Sequence, residues 1–182
     1  MELIYVTQNK NKVEVAKNLL NEFDISNTDF AVPEIQSLDP HEIVKYKLQY
    51  AYDIVKKPCL VTDDSLYIEA LNGFPGPFIK WYYDKTVGAE KTCQIANLFN
   101  QHGIKSLTIL GYYDGQETHY FEESVEGIIP SEPRGDNGFS WDPIFIPEGD
   151  FRTYAEMTFE EKHSYTVTGK VFKRLRAFLD TK

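Results

Sequence analysis

The chain has 182 residues, of which 42% are hydrophobic and 26% charged, the mix of a globular fold of one domain's length. With 28 acidic side chains against 19 basic, the net charge is −9; the bulk positive field of a protein that coats DNA or an anionic membrane is missing. Aromatic residues at 14%, with 12 Tyr and 12 Phe, exclude a disordered chain and can fill a sizeable core.

A buried strand is expected over 2–7, around Leu3-Ile4-Tyr5-Val6. That run is too short for the apolar region of a signal peptide and has no cationic segment ahead of it. Val13, Ala16, Leu20 and Phe23, three and four apart, predict a helix over 10–23. A second strand is expected near 29–32, before the loop marked by Pro33 and Pro40. Ile43, Tyr50, Ala51 and Ile54 predict a helix over 41–55, and Cys59 to Thr62 a short strand. Ala89, Cys93, Ala96 and Phe99 predict a helix over 86–101. A hairpin follows: Leu107 to Tyr113, an Asp114-Gly115 turn, then Thr118 to Ile129. Residues 130–150 hold four of the nine prolines and read as loop. Val167 to Leu179 closes as a helix.

Helices alternating with strands, and a hairpin placed late, predict an α/β fold with a mixed sheet. The expected arrangement is one domain over 1–182, elongated and two-lobed, its mixed sheet flanked by helices around a central cleft. No run approaches the ~18 apolar residues of a membrane span. Cys59 and Cys93 lie in apolar stretches and read as buried free thiols of a reducing cytosol. A cytoplasmic protein is expected. The acidity is local: residues 117–161 carry 12 acids and 2 bases, and the remainder 16 acids and 17 bases. Most of those carboxylates read as a solvated face.

Five segments could carry chemistry. Thr7-Gln8-Asn9-Lys10-Asn11-Lys12 joins the first strand to the first helix, where backbone N–H groups are free to meet an anion. From composition alone a surface turn with a Lys-rich helix start is the better reading, although cations at a helix N-terminus oppose the macrodipole, so Lys10 and Lys12 mildly favour an anion nearby. In Thr62-Asp63-Asp64-Ser65, placed just past a strand end, two adjacent acids call for a cation such as Mg²⁺, or mark a simple helix cap. Gly73-Phe74-Pro75-Gly76-Pro77-Phe78-Ile79-Lys80-Trp81 reads as a stiff loop that presents Lys80, or as a connector packed by its aromatics. In Gly138-Phe139-Ser140-Trp141-Asp142, Phe139 or Trp141 could stack on a flat ring and Asp142 accept a ring N–H; a hydrophobic plug is the alternative. Lys162, after Glu160-Glu161, could reach a phosphate or carbonyl, or sit on a surface helix turn. Together, phosphate-type cations, adjacent acids and an aromatic loop point to a nucleotide.

These motifs, in this order, resemble the inosine/xanthosine triphosphate pyrophosphatase family, which clears non-canonical purine nucleotides. The likeness runs from Ile4 to about Lys162, through Val6–Lys12, Thr62–Ser65, Gly73–Trp81, Gly138–Phe145 and Thr153–Lys162. It implies an α/β homodimer that hydrolyses a nucleoside triphosphate to the monophosphate and pyrophosphate with Mg²⁺. It implies that Thr7, Asn9, Lys10 and Lys12 hold phosphate, with Lys47 and Lys80 neutralising its charge. Asp64, with Asp63 beside it, would bind metal and activate water. Glu34 would be the second metal-side carboxylate. Ser65 would line the substrate. Phe139, Ser140, Trp141 and Asp142 would border the base, and Lys162 would reach its oxygen edge.

Three positions depart from the family pattern. Gln8 stands for the usual glycine, a glycine is missing after Ser65, and Thr166-Val167-Thr168 replaces a Ser-His-Arg triplet. The last leaves the preferred base open. A non-catalytic nucleotide-binding module is the alternative reading. The basic tail, Lys170, Lys173, Arg174, Arg176 and Lys182, is explained by helix amphipathicity without invoking nucleic acid.

Overall fold

The computed structural model of the chain describes residues 2–28 and 30–181. The fold is α/β, and the sheet is mixed, as expected. Its strands run in the order β2-β1-β3-β5-β6-β7, with β4 attached to β3. They are β1 (Glu2–Tyr5), β2 (Asp24–Asn27), β3 (Cys59–Ile68), β4 (Pro75–Gly76), β5 (Gly103–Tyr113), β6 (Thr118–Ile128) and β7 (Ile146–Pro147). The helices are α1 (Lys10–Leu19), α2 (Pro40–Val55), α3 (Gly88–Phe99), α4 (Phe159–Tyr165) and α5 (Val167–Leu179). β1 pairs in parallel with β2 and β3, whereas β3 with β4 and β6 with β7 are antiparallel.

The chain forms two compact units. The first comprises residues 1–63, 108–123 and 168–182, the second 64–107 and 124–167. The first unit's core gathers Leu3, Tyr5, Ala16, Leu20, Leu60, Leu110 and Phe172, with the Tyr5 ring edge-on to Phe172 at 6.0 Å. Here α2 turns Ile43, Val44, Lys47, Leu48 and Ala51 inward, the one-sided spacing of a helix laid on a sheet. Gly111 lets it come close: a Cβ there would stand 2.8 Å from Val44 Cγ1. The second unit's core gathers Leu66, Ile68, Ile79, Cys93, Ile144, Phe145, Tyr154 and Val167. Phe145 and Tyr154 stack at 4.8 Å.

Several expectations need correction. The second strand lies at Asp24–Asn27, not 29–32, of which position 29 is outside the described residues. Its polar sequence has little strand propensity; register with β1, Leu3 opposite Ile25, forms it. Helix α1 stops at Leu19, before 23. Ile54 and Phe99, placed on apolar helix faces, are 49% and 58% exposed. The strand begun at Cys59 continues to Ile68, so Thr62-Asp63-Asp64-Ser65 is not past a strand end but inside one. Both cysteines are buried free thiols, pushed up to about 11 by burial. Among the described residues no helix is long and apolar enough to cross a membrane.

Candidate active site

In the first unit, three elements bring charge to β3. Asn9 caps α1, its Oδ1 accepting the N–H groups of Asn11 and Lys12 at 3.0 and 3.3 Å, while Thr7 Oγ1 accepts the Asn9 N–H at 3.1 Å. The predicted phosphate turn is therefore a built helix start, with the side chain of Asn9 on two of its N–H donors. Lys10 is exposed. Lys12 reaches back to β3, where its Nζ donates to Thr62 Oγ1 at 3.3 Å and Thr62 bonds the buried Tyr5 hydroxyl at 2.6 Å.

Helix α2 begins at Asp39, whose carboxylate accepts the His41 N–H at 2.9 Å, with Pro40 in the first turn. That start sets the rotation which carries Lys47 inward. Its Nζ donates to Asp63 Oδ1 at 2.7 Å and to Glu34 Oε1 at 3.0 Å. The Lys47 and Asp63 side chains are each 10% exposed, that of Glu34 49%. Burying an ammonium is costly unless it is paired, and the pairing explains how a lysine occupies the apolar face of α2. The resemblance implies Glu34 with Asp64 as the metal pair; Lys47 bridges Glu34 and the neighbouring Asp63.

In the second unit, Asp64 is half-buried. Ser65 is fully buried, its hydroxyl without a hydrogen-bond partner among the described residues. Lys80 opens a π-helical turn, Lys80–Thr86, anchored by buried Ile79 and Tyr82. Thr86 Oγ1 bonds the carbonyls of Trp81 and Tyr82, both at 2.9 Å. Lys80 is exposed, its Nζ 6.0 Å from the Trp81 ring centroid. Proline and glycine spacing gave no sign of this wider turn, a form that recurs at functional sites.

The aromatic loop is organised by Asp142. Its Oδ2 accepts the Phe139 N–H at 2.7 Å and the Lys162 ammonium, and both charged side chains are at most 10% exposed. Burial pushes the Asp142 acid up, and Lys162 and the Phe139 N–H pull it back. The Lys162 Nζ also lies 4.8 Å from the centroid of the Phe139 ring, which is 39% exposed. Ser140 takes a left-handed backbone, φ +54°, and Trp141 packs half-buried against the second core. Gly138 is required twice: its φ is +85°, and a Cβ would collide with the Asp142 carboxylate.

Helix α4 delivers Lys162. A capping box starts it, with Thr158 Oγ1 accepting the Glu161 N–H at 3.3 Å and Glu161 Oε2 the Thr158 N–H at 2.9 Å. Of the substituted triplet, Thr166 follows α4 and bonds its N–H to the Lys162 carbonyl at 3.0 Å. Val167 is 5% exposed within the second core. The structure thus brings Lys47, Asp63 and Glu34 together, Lys12 with Thr62, and Asp142, Lys162 and Phe139. It leaves Lys10 and Lys80 at the surface. Tyr5 and Thr62 join the Lys12 contact without a sequence signal for it, since a tyrosine in an apolar strand reads as core.

An α/β fold with two buried lysine–carboxylate clusters, one beside a capped helix start and one beside an exposed aromatic ring, has the parts of a nucleotide-handling enzyme. The chain belongs to the Ham1 family, whose profile matches residues 3–178. It is 39% identical over 183 residues to inosine triphosphate pyrophosphatase of Schizosaccharomyces pombe, covering 98% of this chain and 95% of that protein. It is 35% identical to dITP/XTP pyrophosphatase of Methanopyrus kandleri, covering 96% and 94%. Among solved structures it is similar to a HAM1 protein from Coxiella burnetii, with a TM-score of 0.85 and 26% identity over the whole of both chains. Membership places the chain among the nucleoside triphosphate pyrophosphatases, a class of hydrolases.

Proposed function

We propose that this chain hydrolyses non-canonical purine nucleoside triphosphates, ITP, dITP or XTP, to the monophosphate and pyrophosphate with Mg²⁺. The observation that carries the reading is the gathering of Lys47, Asp63 and Glu34. The reaction needs positive charge for the phosphates and carboxylates for a metal, with no protein nucleophile. Two carboxylate oxygens lie within 3.0 Å of one ammonium, an all-oxygen donor set whose formal charge exceeds the lysine's. With Asp64 next along β3, these carboxylates suit Mg²⁺, which is commonly held by one or two carboxylates together with substrate phosphates.

In this reading Glu34 and Asp64 would hold the metal, with Asp63 beside Asp64 and paired to Lys47. When bound, Mg²⁺ would neutralise charge on the phosphates. Lys12, Lys47 and Lys80 balance the remaining triphosphate charge, and Thr7, Asn9 and Ser65 orient it. Asp64 takes a proton from water as the water oxygen bonds the α-phosphorus. The bond from that phosphorus to its bridging oxygen breaks, pyrophosphate leaves, and the proton passes to solvent. Phe139 and Trp141 border the base, with Ser140, Asp142 and Lys162 at its polar edge. A homodimer and a cytoplasmic location remain part of the proposal, and sedimentation of the purified chain reads the first. The test is a panel of canonical and deaminated triphosphates with Mg²⁺, scored for pyrophosphate. Release from ITP or XTP well above ATP and GTP is expected, with Asp64→Asn lowering the rate about 10²-fold or more. No release from any member of the panel overturns the reading.

A further inference from the structure

We propose that Tyr5 and Thr62 are positioning residues, a buried pair of hydroxyls that fixes the Lys12 ammonium before a triphosphate arrives. The inference rests on the reading of Lys12 as a phosphate contact. Its ground is one shared oxygen within the first unit. The Tyr5 hydroxyl lies 2.6 Å from Thr62 Oγ1, and Lys12 Nζ donates to that same oxygen at 3.3 Å. Tyr5 is 0% exposed and Thr62 8%. The three residues come from β1, β3 and α1, so only the folded chain brings them together.

Tyr5 sits in a core with Leu3, Leu60, Leu110 and Phe172, where phenylalanine would fill nearly the same space with no polar atom to desolvate. A hydroxyl buried in such a core costs free energy unless it is bonded. Joining β1 to β3 does not require it. The two strands already pair in parallel, Tyr5 opposite Leu60, and the Val6 N–H donates to the Leu60 carbonyl at 2.9 Å. The phenol adds a constraint on Thr62. An ammonium has donors only, so Thr62 Oγ1 accepts from Lys12. Whichever hydroxyl donates to the other, the bond to Tyr5 fixes the Thr62 rotor that faces the ammonium. Lys12 stands in the first turn of α1, where a cation opposes the helix macrodipole. The contact with Thr62 offsets that tendency and draws the ammonium to the strand that carries Asp63 and Asp64. A lysine stem loses rotamer freedom when it meets a ligand. Here part of that loss is taken in folding, and a phosphate meets a cation already in place. The Thr62 hydroxyl is uncharged, so it holds the ammonium without neutralising it.

The test is a set of double-mutant cycles on the affinity of the full chain for a non-hydrolysable ITP analogue with Mg²⁺, read by calorimetry. Tyr5→Phe and Thr62→Val should each weaken binding about three- to tenfold, the size of one lost hydrogen bond. Thr62→Ser, which keeps the hydroxyl, should bind like the parent. The effect must pass through Lys12: in a Lys12→Met background, Tyr5→Phe and Thr62→Val should change affinity less than about twofold. A hydroxyl pair that only supports the fold would lower stability to urea without this dependence on Lys12. Parent-like affinity in either single variant, or a loss that persists undiminished in Lys12→Met, overturns the proposal. Should one of the two variants fail to fold, or Lys12→Met bind too weakly to close the cycle, the unliganded protein decides. With ¹³C-labelled lysine, the Lys12 Cε resonance, assigned by its loss in Lys12→Arg, should move in whichever of Tyr5→Phe and Thr62→Val folds; an unmoved resonance overturns the proposal. Lys12→Met alone separates the inference from its premise. If it leaves the affinity unchanged, Lys12 is not a phosphate contact and the proposal fails with that reading. If it weakens binding about tenfold or more while Tyr5→Phe binds like the parent, only the positioning role has failed.

Discussion

Both units bury a lysine against an aspartate, yet the two pairs differ in what surrounds them. Lys47 meets two carboxylates, Asp63 at 10% exposure and Glu34 at 49%. Lys162 meets one, Asp142, and covers that unit with an aromatic ring. The first cluster carries formal negative excess and has a half-exposed member that can turn toward a cation. The second is formally neutral and is closed by a backbone N–H from its own loop. Excess charge with one half-exposed arm suits a place where ions come and go. A neutral, caged pair suits a fixed pattern of donor and acceptor, which reads the shape of a ligand and leaves its charge aside.

The comparison is tested most severely by removing the lysine from each side. Lys162→Met strands the Asp142 carboxylate in a buried place, and breaking such a pair costs about 3–5 kcal/mol. Asp142→Asn in the same chain should recover much of that loss, because the stranded charge is then gone. At Lys47 the same substitution should cost less, since Glu34 can turn to solvent. Urea unfolding of the four proteins, parent included, measures both. Equal losses at the two lysines would show that the pairs are alike in burial energetics and remove the distinction drawn here.

A smaller effect is expected at Gly138. Alanine there meets both a left-handed backbone and the Asp142 carboxylate, a conflict of about 1–3 kcal/mol. Because the collision is with the acid that anchors the loop, Gly138→Ala should loosen the Lys162 pair. The expected outcome is a lower melting temperature together with a raised KM for the purine triphosphate and little change in Mn²⁺ binding. A variant whose metal binding falls as far as its nucleotide binding would contradict the separate roles given to the two clusters.

How far the sequence carried these conclusions differs by element. Helices α2 and α5 and the Asp114-Gly115 hairpin were legible because periodicity and turn chemistry agree with the tertiary outcome. β3 was not. Asp63, Asp64 and Ser65 are poor strand formers, and they stay in the strand because Lys47 pairs Asp63 and because neighbouring strands hold the ladder. The same partner explains why Lys47 was seen only through family resemblance. A lysine at an inward helical position looks like an error in the apolar pattern until its carboxylates are known. In the second unit Asp142 and its aromatics were visible as a loop motif. The Gly138 contact and the capping box that sets Lys162 depend on residues brought together by folding. The π-helical turn at Lys80 left no periodic trace.

The mildest probe of the comparison is pH, through a group that only the second cluster has at its flank. His163 follows Lys162 on α4 and is 8% exposed, with Phe159 3.9 Å from its ring. Its Nδ1–H donates to the Phe159 carbonyl at 2.7 Å, so the neutral ring carries its proton on that nitrogen. Burial is the largest influence and holds the imidazole below its ordinary 6.5, with Lys162 acting in the same direction; the Phe159 bond, Asp142 and Glu160 act against it. The unfolded chain therefore binds the proton at a higher pH than the folded one does. Stability from this group is complete above the ordinary histidine range and is lost as pH falls through the depressed folded value. His163→Phe keeps the aromatic contact and removes the titration. It should flatten the stability profile below about pH 6.5, with the melting temperature near pH 8 lowered only by the lost hydrogen bond, about 0.5–1.5 kcal/mol. If the slope below pH 6.5 persists in His163→Phe, protonation near the Lys162 cluster is not what weakens the fold in mild acid. The acid sensitivity would then belong to groups elsewhere; Asp150, which Arg152 holds down at about 2, yields its share only as pH falls through the ordinary carboxylate range and below.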